Sequence, residues 1–278
     1  MMFDIYGGTG IIGSYFNDLM NANTIPRNQL HPIGANVLYL ISTTSNSYNN
    51  PLLHTNTNID CLMKRLIACQ EKGIESFNFV SSWFVYQPKE GQIKEEDYCS
   101  PKGLYSITKY CAEQLVIDFC SHHEIKWRIL RLGNVYGGPD KSDGKRNALH
   151  YIVQSLKNHH PVQGVFGMKR DYIHIYDTCR AINLICKQGA FNTIYNIGSG
   201  NSALQSECID FCRNILQSNS PISYRSHRNN EQALTMALDC TKLFSLGFSP
   251  LISLEEGLFD LCTDQKFSIP AHFSMGMK

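Results

Sequence analysis

The chain opens on a short apolar strand that runs straight into a glycine-spaced turn and then into a helix. Residues 2–6 (MFDIY) read as the strand, Gly7-Gly8-Thr9-Gly10-Ile11-Ile12-Gly13 as the turn, and SYFNDLM carries helical spacing. Glycines at 7, 10 and 13 let the backbone come close to a pyrophosphate, which then sits on the N-terminus of the following helix. Gly7, Gly10, Ile11, Ile12 and Gly13 are therefore the expected cofactor-binding residues. The competing reading is a plain tight turn.

Beyond this helix the chain alternates strand and helix. NVLYLISTTSNSY (36–48) reads as a buried strand entering a Ser/Thr/Asn-rich loop, Asn58–Lys72 as an amphipathic helix closed by Gly73, and Ser76–Val80 as another buried strand. Strand, helix, strand in this order implies right-handed crossovers and a parallel sheet, hence an α/β doubly wound fold of Rossmann type. In such a sheet ligands meet the carboxyl ends of the strands, which is where Ser82 would stand. Residues 21–36 depart from the pattern. Where a second strand ending in an acidic residue is expected, the chain offers NANTIPRNQLHPIGAN, broken by proline and without Asp or Glu. The second strand is expected to be missing. Arg27 lies about where the acidic residue would be; it either meets a ribose 2′-phosphate, which favours NADP over NAD, or is an ordinary solvated loop residue.

Composition narrows the class. Twenty-five basic residues against 24 acidic ones, with no dense basic block, give no support to nucleic-acid or membrane-surface binding. Eleven cysteines without a Cys-x-x-Cys pair point to reduced thiols in a cytoplasmic protein, and no metal is expected. No apolar run approaches the ~18 residues of a membrane span. No secretory leader is read at the N-terminus.

The chemistry is carried by Tyr105-Ser106-Ile107-Thr108-Lys109, at the start of a long helical run. Tyr and Lys four apart share a helix face. An ammonium beside a phenol favours the phenolate, so Tyr105 is expected to fall in pKa toward working pH and to act as a general acid/base. The bland alternative is a surface lysine beside a half-buried tyrosine.

GGTGIIG, SSWFVY and YSITK, in that order and at these separations, resemble the extended short-chain dehydrogenase/reductase family, within it the NAD(P)-dependent sugar-nucleotide epimerase/dehydratase group. The resemblance implies a nicotinamide cofactor, NAD or NADP, and a nucleotide-diphosphate sugar as substrate. It implies that Tyr105, Lys109 and Ser82 are catalytic, that Tyr105 and Lys109 also meet the cofactor, and that Ser82 hydrogen-bonds the substrate. ILRLGNVYGG carries Asn134 as a substrate contact, RNAL carries Asn147, and RDYIHIYD carries Arg170 as a pyrophosphate ligand; Arg228 is a second phosphate-binding candidate. Trp83 and Phe84 stand where the group's 4,6-dehydratases carry an acid/base pair, and Trp83 also replaces the cysteine of the GDP-fucose type. Dehydration and C3/C5 epimerisation are thereby disfavoured.

Hydride transfer at C4 of the sugar then has two forms. A 4-epimerase with tightly held NAD is preferred; an NADPH-dependent 4-ketoreductase is the alternative, and a cofactor-binding regulator without turnover comes last. Residues 1–140 and 171–200 are expected to form the dinucleotide-binding domain, and 141–170 with 201–278 a smaller sugar-nucleotide-binding lobe. Extra apolar residues on the Tyr105 helix (Ala112, Leu115, Val116, Phe119) indicate either burial on two sides or, from the resemblance, a homodimer. The tail after Pro270 is expected to be disordered.

Overall fold

The computed structural model describes residues 3–43, 48–87, 89, 91–138, 148–226 and 236–263. The opening segment is strand β1 (Asp4–Tyr6), the glycine turn, and helix α1 (Ile11–Met20). Against expectation a second strand exists: β2 (Asn23–Ile25) pairs in parallel with β1 over three residues. It is anchored from its first residue, where the Asn23 amide donates to Asp4 Oδ1 at 2.8 Å. The same carboxylate accepts Gly34 N–H at 2.7 Å and Ile33 N–H, so one aspartate organises the loop that replaces a longer strand and its helix.

β3 (Asn36–Tyr39) leads to a continuous helical stretch: α2 (Leu52–Thr55), a π-helical turn over Asn56–Asp60, and α3 (Cys61–Lys72). The helix read over Asn58–Lys72 thus begins earlier than its amphipathic pattern. Gly73 closes it at φ 71°, as its position predicted. β4 (Ser76–Ser82), a two-residue β5 (Gln92–Ile93), α4 (Leu104–His122), β6 (Lys126–Leu132) and β7 (Asn134–Tyr136) come next. The remaining elements are α5 (Ala148–Lys157), β8 (Val162–Val165), β9 (Lys169–His174), α6 (Ile175–Gln188), β10 (Thr193–Ile197), β11 (Ser202–Leu204), α7 (Gln205–Leu216), β12 (Ile222–Arg225), β13 (Ala237–Leu238), α8 (Thr241–Phe244) and α9 (Leu254–Thr263).

Six strands form one sheet in the order β10-β6-β4-β3-β1-β2, every pairing parallel. The chain winds outward from β1 to β2, then returns across β1 to build β3, β4, β6 and β10. The reversal falls between β1 and β3, and an open α/β sheet offers its ligand crevice there. Alternation of side chains splits the core across the sheet. Val37, Tyr39, Phe77, Phe79 and Ile129 meet α3 and α4 through Leu62, Leu66, Ala112 and Val116, while Leu38, Val80, Leu130 and Leu132 share the other face with Phe16 of α1 and Ile182 of α6. A third cluster gathers Leu149, Ile152 and Leu156 of α5, Cys208, Ile209 and Cys212 of α7, and Leu258 and Cys262 of α9. None of the described helices is long and apolar enough to cross a membrane.

Candidate active site

The glycine turn is built as tightly as its spacing implies. A Cβ on Gly13 would run into the Gly7 carbonyl and lie 2.8 Å from Gly8 Cα, and a Cβ on Gly7 would lie 3.0 Å from the Ile41 nitrogen. Gly10 caps α1 with no side-chain hydrogen bond, and the first turn holds no acidic residue. The first-turn amides are therefore left for an anion, and Gly10 and Ile11 are exposed. These features fit a dinucleotide pyrophosphate: a backbone cradle with no side chain in the way. Ile12 is half-buried and Gly13 buried, so both serve through the backbone. Arg27 lies exposed two residues beyond β2, its backbone carbonyl held by Arg65 at 3.3 Å.

Across the switch point, β3 and β4 end side by side. Ser82 is the last residue of β4, and its Oγ caps the short 3₁₀ turn Trp83–Val85 by accepting the Phe84 N–H at 3.3 Å. α4 begins at Leu104 and sets Tyr105 half-buried over this strand end, close enough to the Ser82 and Ser42 hydroxyls for both to act against the rise in its pKa. Ser42, in the loop after β3, is a functional candidate that the sequence reading missed. The signal was the Ser/Thr/Asn-rich strand end, which named the region and not the residue.

One turn along α4, Lys109 is almost wholly buried. Its Nζ donates to the Val80 carbonyl at 2.5 Å and lies 4.2 Å from the centre of the Phe79 ring. Burial pushes the ammonium down to about 7, against a smaller opposing pull from Glu113. The expected drop in the Tyr105 pKa is not found. Burial raises it, and the two serine hydroxyls only partly oppose that rise. The physical reason is direction: the Lys109 ammonium is aimed at a strand carbonyl.

Trp83 stacks on Phe84 with ring centres 4.1 Å apart, and Phe84 meets Tyr105 edge-on at 6.1 Å. Arg170, half-buried on β9, holds its guanidinium 5.3 Å from the Trp83 ring and donates to the Lys169 carbonyl at 2.8 Å. Asp171 and Asp177 offer carboxylates close by in sequence. Those carboxylates are engaged elsewhere, Asp171 by Ser199 and Gly200 and Asp177 by Arg180 and the Leu251 and Ile252 amides. Asn134 donates to the Asp171 carbonyl at 3.1 Å, which ties β7 to β9 beside the same crevice. Asn147 and Arg228 lie outside the described residues. Ser82, Tyr105, Lys109 and Arg170 are thus gathered around one strand end, reached from the glycine turn across β3. All eleven cysteines are free. Among the described residues no group of three or more His, Cys, Asp or Glu side chains could hold a metal.

A sequence model of the NAD dependent epimerase/dehydratase family matches residues 33–198, more than half of the chain. The chain belongs to this family. The matched span holds Ser82, Tyr105, Lys109, Asn134 and Arg170 and begins after the glycine turn. Two relatives give its range. A putative UDP-glucose 4-epimerase of Methanocaldococcus jannaschii is 29% identical over 219 residues, 77% of this chain and 70% of the relative. The dTDP-4-dehydro-6-deoxyglucose reductase of Escherichia coli is 28% identical over 204 residues, 71% of this chain and 63% of the relative. The chain thus spans about two thirds of the length of these relatives. In fold it is similar to the structure of RMD from Pseudomonas aeruginosa complexed with NADPH. That likeness has a TM-score of 0.84 at 19% identity, covering 95% of this chain and 98% of that one.

Proposed function

We propose that this family member transfers a hydride at C4 of a nucleotide-activated sugar, most simply as a sugar-nucleotide 4-epimerase. The observation that carries the reading is that Ser82 ends β4 where α4 sets Tyr105, close enough for its hydroxyl to act against the rise in the Tyr105 pKa, with Lys109 one turn behind. Bound against the glycine turn, the nicotinamide dinucleotide supplies the hydride acceptor and donor. The protein's own residues do the rest. Tyr105 takes the proton of the sugar hydroxyl on oxidation and returns it on reduction. Ser82 hydrogen-bonds the same oxygen and fixes it at reacting distance. Arg170, with Asn147 and Arg228, is our candidate clamp for the substrate diphosphate, and Asn134 a candidate sugar contact. Trp83 and Phe84 supply an apolar wall with no titratable group to move protons at C5 and C6, which argues against dehydration.

The reductase reading keeps one specific support: Arg27 just beyond β2, where a 2′-phosphate would be met. It also has the reductase relative from Escherichia coli beside it. We assign residues 1–140 and 171–200 to cofactor binding and 141–170 with 201–278 to the substrate lobe, whose core is the α5–α7–α9 cluster. Homodimerisation fits the uncovered side of α4, where Ile107 is about half exposed (49%) and Cys111 is exposed. Eleven free thiols favour the cytoplasm.

The deciding experiment denatures freshly purified protein and identifies any released dinucleotide by mass. Stoichiometric NAD supports the epimerase and refutes the Arg27 reading. An empty protein that binds NADPH better than NADH, and loses that preference in Arg27→Ala, is a ketoreductase. An empty protein indifferent to both, with behaviour unchanged in Tyr105→Phe, is a regulator.

A further inference from the structure

Trp83 touches both ends of the candidate site. It follows Ser82 directly, in the 3₁₀ turn that the Ser82 hydroxyl caps, and its own carbonyl accepts the Tyr86 N–H at 3.1 Å. Its side chain is almost wholly buried, in the same apolar cluster as Val80, Leu130 and Ile173. The indole stacks on Phe84, ring centres 4.1 Å apart, and Phe84 meets the Tyr105 ring edge-on. A capped turn and a packed ring leave this indole little freedom. Toward β9 it carries Arg170, whose guanidinium carbon stands 5.3 Å from the ring centre.

An arginine on a strand is a long rotor, and a phosphate bound by an unplaced side chain bears the entropy of placing it. Two of its contacts place Arg170 beforehand: Nη1 donates to the Lys169 carbonyl at 2.8 Å, and the guanidinium rests over Trp83. The strand beneath is fixed as well, because the neighbouring Asp171 carboxylate accepts from the Ser199 amide and hydroxyl at 2.7 Å and from the Gly200 amide at 3.1 Å. An aromatic face attracts a guanidinium without neutralising it. A carboxylate in that seat would pair with the cation and compete with a diphosphate for it.

We propose that Trp83 is the positioning residue for Arg170 and presents its guanidinium to the diphosphate of the sugar nucleotide. This rests on the reading of Arg170 as the diphosphate clamp. Residues 82–84 then space the two ends of the substrate: Ser82 meets the sugar oxygen, Trp83 carries the arginine, and Phe84 packs on Tyr105. Because the three are consecutive, the phosphate end and the reacting carbon are registered by one turn of backbone.

The test is calorimetric titration of the full chain with UDP and with dTDP, circular dichroism confirming that each variant is folded. Arg170→Ala should weaken the tighter-bound diphosphate about tenfold or more. Trp83→Leu, which removes the aromatic face, should weaken it about fivefold, and Trp83→Phe, which keeps a smaller face, by less. Trp83→Leu added to Arg170→Ala should cost nothing further, because the indole acts through the arginine. In turnover Trp83→Phe should raise KM for the sugar nucleotide and leave kcat within about twofold. Where Trp83→Leu does not fold, Trp83→Phe carries the same comparison with and without Arg170. Trp83 variants that bind the diphosphate as tightly as the wild type overturn the proposal. So does an equal loss in the presence and absence of Arg170, which a plain wall against the nucleotide would give. An Arg170→Ala protein of wild-type affinity refutes the clamp reading, and a wild type that binds neither diphosphate refutes the functional reading; either result removes the proposal with it.

Discussion

Lys109 and Glu113 sit one turn apart on α4, both buried, and they are treated in opposite ways. Glu113 receives Arg131 through two nitrogens, Nη2 at 2.7 Å and Nε at 3.1 Å, while the third arm of the fork, Nη1, donates to the Glu95 carbonyl at 3.1 Å. The Arg131 guanidinium lies 4.6 Å from the Tyr86 ring, and the Tyr86 hydroxyl donates to Asn196 Oδ1 at 2.6 Å. Asn196 closes the network on the Ile93 and Asp239 carbonyls. Lys109 has one strand carbonyl and an aromatic face. A buried charge whose hydrogen bonds are all met ties β6 to α4 and to the β5–β13 ribbon. A buried charge met by one carbonyl is held near its proton-releasing point, which suits a site that moves protons.

The sharpest way to break this contrast is at its catalytic end. Tyr105→Phe should cut kcat on a sugar nucleotide by about 10³-fold while leaving the unfolding midpoint nearly unchanged; a variant with wild-type turnover would remove Tyr105 from the chemistry. At the structural end, Glu113→Ala leaves Arg131 buried without its carboxylate and should cost about 3–5 kcal/mol in denaturant unfolding, with kcat of the folded protein changing little. A loss of turnover without loss of stability would erase the distinction between the two charges.

The pH dependence of stability sharpens it further. The Lys109 ammonium is held down to about 7 from an ordinary 10.5. Below about pH 7 it is charged in both folded and unfolded chains, and the full cost of burial is present. Above that, up to about 10.5, the unfolded chain binds a proton that the folded chain does not, so stability rises with pH. Relative to Lys109→Met, the wild type should gain about 2 kcal/mol between pH 7 and 9, read from chemical denaturation at each pH. A flat difference would mean that the ammonium stays charged inside. The smallest expected effect lies across the switch point. Gly13→Ala drives a Cβ into the Gly7 carbonyl and should weaken NAD binding about tenfold by calorimetry, with proton uptake at Tyr105 untouched.

The arrangement of the first half was legible because local rules dictate it. A turn that needs glycine, a helix that closes on Gly73 and a Tyr–Lys pair at i, i+4 are properties of neighbouring residues. The short β2 was missed because three residues at the head of a proline-broken, acid-free run carry almost no periodicity; pairing with β1 and the Asp4 hydrogen bonds make the strand. Arg170 was named a pyrophosphate ligand by resemblance alone, and its seat over Trp83 was not legible, since nothing in RDYIHIYD says which side chain lies across the crevice.

By itself the sequence determined the parallel α/β order, the glycine turn, and Tyr105 and Lys109 one turn apart on one helix. These come from backbone geometry and helix spacing, which act over a few residues. Tertiary structure alone decided that Arg131 satisfies Glu113 and that Lys109 points at Val80. It also decided that the Tyr105 pKa goes up, because burial and the direction of a distant hydrogen bond exist only once the strands are side by side.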